Sequence, residues 1–313
     1  MKNRFKTGLT ALALAFALSP QAFAQNTQGE ALKQSVTAEQ IQTIRTQDGL
    51  NLHLQKDIPQ SKPKAVLVIS HGLASHSGVF ADFAKQMNEN GIAVYRFDAR
   101  GHGKSDGRDS IHINSYFEMV EDLRLVVEKA KAENPNTPVF VMGHSMGGHI
   151  TALYGTKYPQ GADGVILAAG VLRYNQMNFG HLPRPEPKDS FVNGFEAAHK
   201  TLNLPMPEMG AGLSLPNDPL MLEKFSVSFP NSFKEGIKYL KNNDDKFIAP
   251  VLLVSGDADL YVVPKDAIQF YEEVNSTDKS LRLYNGLGHM LMIGEGGQIV
   301  IDDIVRWIAE RAK

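Results

Sequence analysis

The sequence predicts an α/β fold, a mostly parallel central sheet with helices on both faces and one helical cap insertion. Three observations predict it. Continuous apolar runs such as Ala65-Val66-Leu67-Val68-Ile69 and Val139-Phe140-Val141-Met142 suit strands covered on both faces rather than on one. Between these runs stand stretches with apolar residues at helical spacing, and strands alternating with helices imply a parallel sheet sheltered on both sides. From about Arg173 to Phe247 no such run occurs, and Pro183, Pro185 and Pro187 punctuate the start of that segment.

The chain begins with Lys2, Arg4 and Lys6 before an apolar run from Gly8 to Leu18, then Ala22-Phe23-Ala24. This pattern is that of an export signal removed after Ala24. The run is too short to cross roughly 30 Å of hydrocarbon, which takes about 20 residues. Around Asp48-Gly49 the flanks Ile41 to Thr46 and Leu50 to Gln55 alternate, which reads as a hairpin closed by a tight turn. After the strand Ala65 to Ile69 comes a helix marked by Phe80, Phe83, Ala84 and Met87, stopped at Asn90-Gly91. Val94 to Phe97 is the next strand, and Phe117, Val120, Leu123, Val127 and Ala130 mark one face of the following helix. Val139 to Met142 is a strand and Met146 to Tyr158 a helix; Val165 to Ala169, Val251 to Val254 and Leu281 to Tyr284 supply three more strands. The closing helix carries Ile301, Ile304, Val305 and Ile308 on one side.

Four segments follow: a signal over 1–24, a core over 25–172, a helical cap over 173–247 and the rest of the core over 248–313. Cap helices are expected near Ser190 to Thr201 and Pro219 to Asn242. Met177, Phe179, Leu202, Leu204, Met206, Met209, Leu213, Leu215 and Met221 then form a satellite core or line an apolar passage, where flexible methionines adapt to varied chains.

Charge narrows the function. Lys and Arg number 32 against 34 Asp and Glu, a formal net charge of −2, and losing the signal removes only positive charges, so no basic face for nucleic acid is expected. With no cysteine the chain has neither disulfides nor thiolate chemistry, and no lipid-anchoring cysteine follows the apolar run. His71 and His76, like His144 and His149, are five apart with no third ligand at a zinc-like spacing, and no phosphate-cradling glycine loop with its lysine occurs. No metal or cofactor is expected.

Gly143-His144-Ser145-Met146-Gly147 lies between a strand and a helix, the setting that gives G-x-S-x-G its meaning. A turn there lifts the serine hydroxyl clear, and the helix N-terminus offers unpaired N–H groups where an oxyanion would form. A serine needs a neighbouring base, and in this arrangement the acid and then the base follow it along the chain. Among the 10 histidines, His289 in Gly286-Leu287-Gly288-His289 follows the last strand and fits the base. His144, fixed inside the turn, is expected to point away, and His53, His112, His181 and His199 have no place in the order. The strand Val251 to Val254 runs into Ser255-Gly256-Asp257-Ala258-Asp259, and spacing alone leaves both aspartates open as the acid. The N–H of Met146, after the nucleophile, is one oxyanion donor; the loop after Ser70 supplies the other.

Taken with His71-Gly72, His76-Ser77-Gly78, Asp98, Gly101-His102-Gly103, Ser105, Asn217-Asp218-Pro219-Leu220 and Gly288-His289, the elbow resembles the α/β-hydrolase family of monoacylglycerol lipases and lysophospholipases, across nearly everything after the signal. The resemblance implies Asp259 as acid, Leu73 as the second oxyanion donor, and a scaffolding role for Arg100 to Ser105. It also implies an insertion that admits an acyl chain and touches lipid surfaces. One departure stands out: similar lipases carry Glu, Arg and Tyr in the loop after the first parallel strand, where the polar ends receive glycerol, whereas this chain has Ser75, Val79 and Phe80.

The sequence therefore predicts an exported serine hydrolase of carboxylic esters, foremost monoacylglycerols or lysophospholipids. Ser145 attacks, His289 moves the proton, Asp259 holds the imidazolium, and Leu73 and Met146 steady the oxyanion. Other readings of the same fold are a short-chain or aromatic-ester carboxylesterase, an acyltransferase, and a non-catalytic lipid-binding protein.

Overall fold

The structure, a computed structural model, describes residues 38–108, 112–173, 191–193, 218–222, 224–294 and 296–312. The expected signal and most of the expected cap, including Met177, Phe179 and the Leu202 to Leu215 set, lie outside the described residues.

The hairpin forms as its alternation predicts. Strands β1 (Ala38–Arg45) and β2 (Asn51–Ile58) pair antiparallel around a turn in which Gly49 takes φ 92°, the left-handed region that glycine enters without cost. The apolar runs become β3 (Ala65–Ser70), β4 (Ile92–Phe97), β5 (Val139–His144), β6 (Gly164–Ala168), β9 (Val251–Gly256) and β10 (Lys279–Tyr284). All but β10 are buried along their length, as continuous apolar strands must be. The sheet has eight strands in the order β1-β2-β4-β3-β5-β6-β9-β10, parallel from β4 to β10 with the hairpin antiparallel at one edge.

Successive residues of each strand feed opposite faces. Val66, Val68, Val139 and Val141 pack on one side with helices α2 (Tyr116–Glu133) and α3 (Met146–Lys157). Ala65, Leu67, Ile69, Phe140 and Met142 pack on the other, with α1 (Ala81–Glu89) and the closing helix α6 (Gly297–Arg311). Two layers of helix thus enclose the sheet, and every parallel strand ends on the same edge.

Two differences from the sequence reading have physical causes. The insertion is not wholly helical: β7 (Phe191–Asn193) pairs antiparallel with β8 (Lys224–Ser226), and helix α4 (Ser228–Asn242) starts nine residues later than Pro219. Asp218 Oδ1 accepts the Leu220 N–H at 2.8 Å, which makes residues 218–221 a turn instead of a first helical turn. Residues 194–201 lie outside the described residues. A helix also appears where no periodicity announced it: α5 (Pro264–Glu273) opens on Pro264 and buries Ala267, Phe270 and Asp266. The Asp266 carboxylate accepts the backbone N–H groups of Leu172 and Arg173, so a polar residue occupies a core position. Among the described residues no helix is long and apolar enough to cross a membrane.

Candidate active site

The loops after β3, β4, β5, β9 and β10 share the carboxyl edge of the sheet, where open α/β sheets bind ligands. At the end of β5 the chain turns into α3 through Ser145, which takes φ 55° and ψ −115°. That is a strained backbone for a residue with a side chain, and persists only where its surroundings over-determine it. They do so here. The Ser145 N–H donates to the Ala168 carbonyl at 3.0 Å, and its own carbonyl accepts from His149 at 3.1 Å and Val171 at 3.4 Å. A Cβ on Gly143 would lie 2.1 Å from the Gly147 carbonyl oxygen, and one on Gly147 would lie 2.0 Å from that of Ser70, so both glycines are required for the turn to close. The serine side stays partly open to solvent while its neighbours are buried.

His289 stands on the loop after β10 and Asp259 on the loop after β9. His289 Nδ1 lies 2.8 Å from Asp259 Oδ2, with both side chains buried. The other carboxylate oxygen accepts the N–H groups of Tyr261 at 2.8 Å and Val262 at 2.9 Å, so the acid is locked in orientation. An ionised carboxylate only accepts, which places the proton on Nδ1 and leaves Nε2 bare to act as a base. Asp257, the other aspartate that spacing left open, is exposed and caps the Gly286 N–H at 2.6 Å. His144, the residue before Ser145, sets its ring centre 4.7 Å from that of His289, so the loop bearing the base lies against the end of the strand that carries the serine. No hydrogen bond joins the Ser145 hydroxyl to His289 among the described residues, and catalytic contacts of this kind tighten when substrate is bound.

The N–H groups of Leu73 and Met146 have no acceptor among the described residues, which suits an oxyanion site. The Leu73 peptide is oriented by His71. The Ala99 N–H donates to His71 Nε2 at 2.9 Å, so Nδ1 carries the proton and donates to the Gly72 carbonyl at 2.8 Å. That carbonyl and the Leu73 N–H belong to one peptide plane, and fixing the first aims the second away from it. Burial holds His71 below its ordinary pKa, and it stays neutral in this role.

The loop after β4 is a scaffold. Asp98 accepts the N–H groups of Ser77 at 2.7 Å and Lys104 at 2.8 Å, and Arg100 makes a two-pronged pair with buried Asp122 at 2.6 and 2.8 Å. Ser75 is buried and Val79 packs against the core beside α1 and α6, so neither presents a charge to a head group.

Two residues escaped the sequence reading. His144 does not point away: its Nε2 lies 2.9 Å from the His289 carbonyl oxygen. Tyr261 sets its ring centre 5.2 Å from that of His289, and burial followed by the Asp259 charge raises its phenol pKa. No periodic signal marks such contacts between loops far apart in the chain. His53 and His112 lie away from this arrangement, the latter 3.3 Å from Ser226 Oγ, and His181 and His199 are outside the described residues. Among the described residues no group of three or more His, Cys, Asp or Glu is placed to hold a metal.

The sequence model described as serine aminopeptidase, S33 matches residues 61–296. The monoacylglycerol lipase of Mycolicibacterium smegmatis is 27% identical over 266 residues, 80% of this chain and 90% of that protein. The human monoglyceride lipase is 28% identical over 295 residues, 89% of this chain and 93% of that one. The crystal structure of Paleococcus ferrophilus monoacylglycerol lipase superimposes with a TM-score of 0.69 at 23% identity, covering 83% of this chain and 99% of that one, and the shared fold is that of the α/β-hydrolases.

Proposed function

The chain belongs to the serine aminopeptidase S33 family of α/β-hydrolases, and from that membership we propose that it is a serine ester hydrolase acting on monoacylglycerols. The observation that carries the reading is the buried 2.8 Å contact between Asp259 and His289 beside a strained serine elbow. Such a group removes the hydroxyl proton of Ser145 as the ester carbonyl is attacked. The Leu73 and Met146 N–H groups receive the charge that collects on the carbonyl oxygen, and donors fixed in advance are worth about 3–4 kcal/mol each. The imidazolium, held by Asp259, returns its proton to the leaving alcohol, and water repeats the sequence on the acyl-enzyme to release the fatty acid.

Replacing Ser145 by Ala is expected to abolish turnover of a monoacylglycerol and of a chromogenic ester while the circular dichroism spectrum is unchanged. A variant that keeps more than a trace of activity overturns the assignment. Ser75 and Val79, in place of the polar residues that receive glycerol in similar lipases, favour a second reading within the same chemistry: single-chain esters with other head groups, lysophospholipids or short acyl esters. Rates on oleoyl esters of glycerol, ethanol and phosphoglycerol decide between them, a preference for glycerol supporting the first. Ester synthesis outpacing hydrolysis with an added alcohol would instead mark an acyltransferase.

We also propose export to the periplasm or beyond, on Lys2, Arg4 and Lys6, the apolar run and Ala22-Phe23-Ala24. Sequencing the mature chain from cell fractions tests it, with Gln25 as the expected first residue. The cap segment, rich in Met and Leu, is proposed to meet the lipid surface from which the substrate comes. Sedimentation with vesicles, compared for the full chain and for variants with Met206 and Met209 made polar, tests that contact.

A further inference from the structure

The geometry points to His144 as a positioning residue for the base: its uncharged ring donates Nε2–H to the backbone carbonyl of His289 and ties the base loop to the strand that carries the nucleophile. This inference rests on the reading of Ser145 and His289 given above.

His144 is the last residue of β5, paired with Ala168 of the neighbouring strand, so its Cα is fixed by the sheet. The next residue is Ser145. Its side chain bridges to a residue 145 positions away, with Nε2 2.9 Å from the His289 carbonyl oxygen. A carbonyl only accepts, so Nε2 must carry the proton and His144 must hold one tautomer. The ring also lies against that of His289, centres 4.7 Å apart and planes inclined by 52°, and borders the oxyanion loop: a Cβ built on Gly72 would be 3.2 Å from His144 Nδ1. One side chain therefore touches the base and the loop that bears Leu73, and adjoins the nucleophile in the chain.

Its neutrality matters as much as its reach. During each turnover His289 becomes an imidazolium, and a second charged ring at this distance would oppose that step. Burial first, and then the neighbouring His289, lowers the His144 pKa to about 3, so no charge competes. The other groups facing His289 are the Asp259 carboxylate, which favours the imidazolium, and the Tyr261 phenol, whose raised pKa keeps it uncharged.

Glutamine and asparagine separate reach from polarity, because the glutamine amide nitrogen falls near the position of Nε2 and the asparagine nitrogen stops a methylene short. His144→Gln is expected to keep kcat within about fivefold of wild type, while His144→Asn loses tenfold to roughly a hundredfold in kcat with little change in KM, the cost of a misplaced catalytic group. The rate of Ser145 labelling by a fluorophosphonate should follow the same order. Equal rates for the two variants, or an asparagine variant as fast as wild type, overturn the inference. Nitrogen-15 NMR of the unmutated protein supplies a check that needs neither variant to fold. His144 should remain the Nε2–H tautomer from pH 5 to 9, and an Nδ1–H tautomer or protonation in that range overturns the inference. Failure of wild type to label would sink the functional reading instead, and the NMR result would still decide the role of His144.

Discussion

Two aspartate–histidine neighbourhoods stand on the same edge of the sheet, one around Asp98 with His71 and His102, the other at Asp259 with His289. Their residue types match, yet they are built to opposite ends. In the first, both nitrogens of His71 are engaged by backbone groups of Gly72 and Ala99, and Asp98 is saturated by the N–H groups of Ser77 and Lys104. A Cβ on Gly103 would lie 2.2 Å from an Asp98 oxygen, so the loop is wrapped closely on the carboxylate. In the second, the carboxylate grips Nδ1 of the histidine directly and backbone N–H groups hold only its far oxygen, so Nε2 is left for a proton in transit. A buried Asp beside a His is therefore no sign of catalysis in itself. His102 likewise has an Nε2 without a partner, but its Nδ1 meets the Arg100 carbonyl; what distinguishes His289 is a carboxylate on Nδ1 together with an Nε2 left without a structural partner.

Substitution should split the two neighbourhoods. Asp259→Asn is expected to lower kcat by about 10⁴ with its thermal midpoint nearly kept, since an amide favours the wrong imidazole tautomer; steady-state kinetics and a melt check both halves. Asp98→Ala should reverse the pattern. Leaving the buried Ser77 N–H and the partly buried Lys104 N–H without acceptors costs about 2–4 kcal/mol of stability, read by urea denaturation, while turnover per folded molecule stays within about tenfold of wild type. A kcat loss like that of Asp259→Asn would erase the distinction.

Acid sharpens the comparison on the scaffold side. Burial foremost lowers His102 to about 3 and His149 to about 4 from an ordinary 6.5, and His144 falls likewise to about 3. Below pH 6.5 the unfolded chain takes protons that the folded chain refuses, so stability falls as pH drops from 6.5 toward 3 and is independent of these groups above 6.5. The thermal midpoint measured across that range should decline steadily, and His102→Asn should flatten the slope. The smallest effect is expected from Asp257→Asn: its carboxylate is exposed and caps one N–H, so kcat should stay within about twofold and stability within roughly 0.5 kcal/mol.

Much of this was legible in the residues. Continuous apolar runs mark the parallel strands because strands sheltered on both faces need no alternation, and the glycines about Ser145 mark the elbow because only glycine fits there. Strands β7 and β8 hold three residues each, too few for any periodicity to show. Helix α5 hid behind Asp266, a carboxylate in a core position whose partners lie more than 90 residues earlier. The choice between Asp257 and Asp259 was closed to spacing because it turns on an N–H pair at Tyr261 and Val262 that exists only once the loop is folded. The reach of His144 to a carbonyl on a distant loop left no mark on its neighbours in the chain.

The backbone of Ser145 gives the site a temperament of its own. Its φ of 55° is a tension of about 1–3 kcal/mol that the closed elbow alone sustains. Asp259 and His289 follow β9 and β10, so a chain in which those strands have not docked has neither acid nor base beside Ser145, and ester cleavage is expected only with the complete sheet. The same spring makes the site brittle: mild urea should silence ester cleavage before the global transition begins.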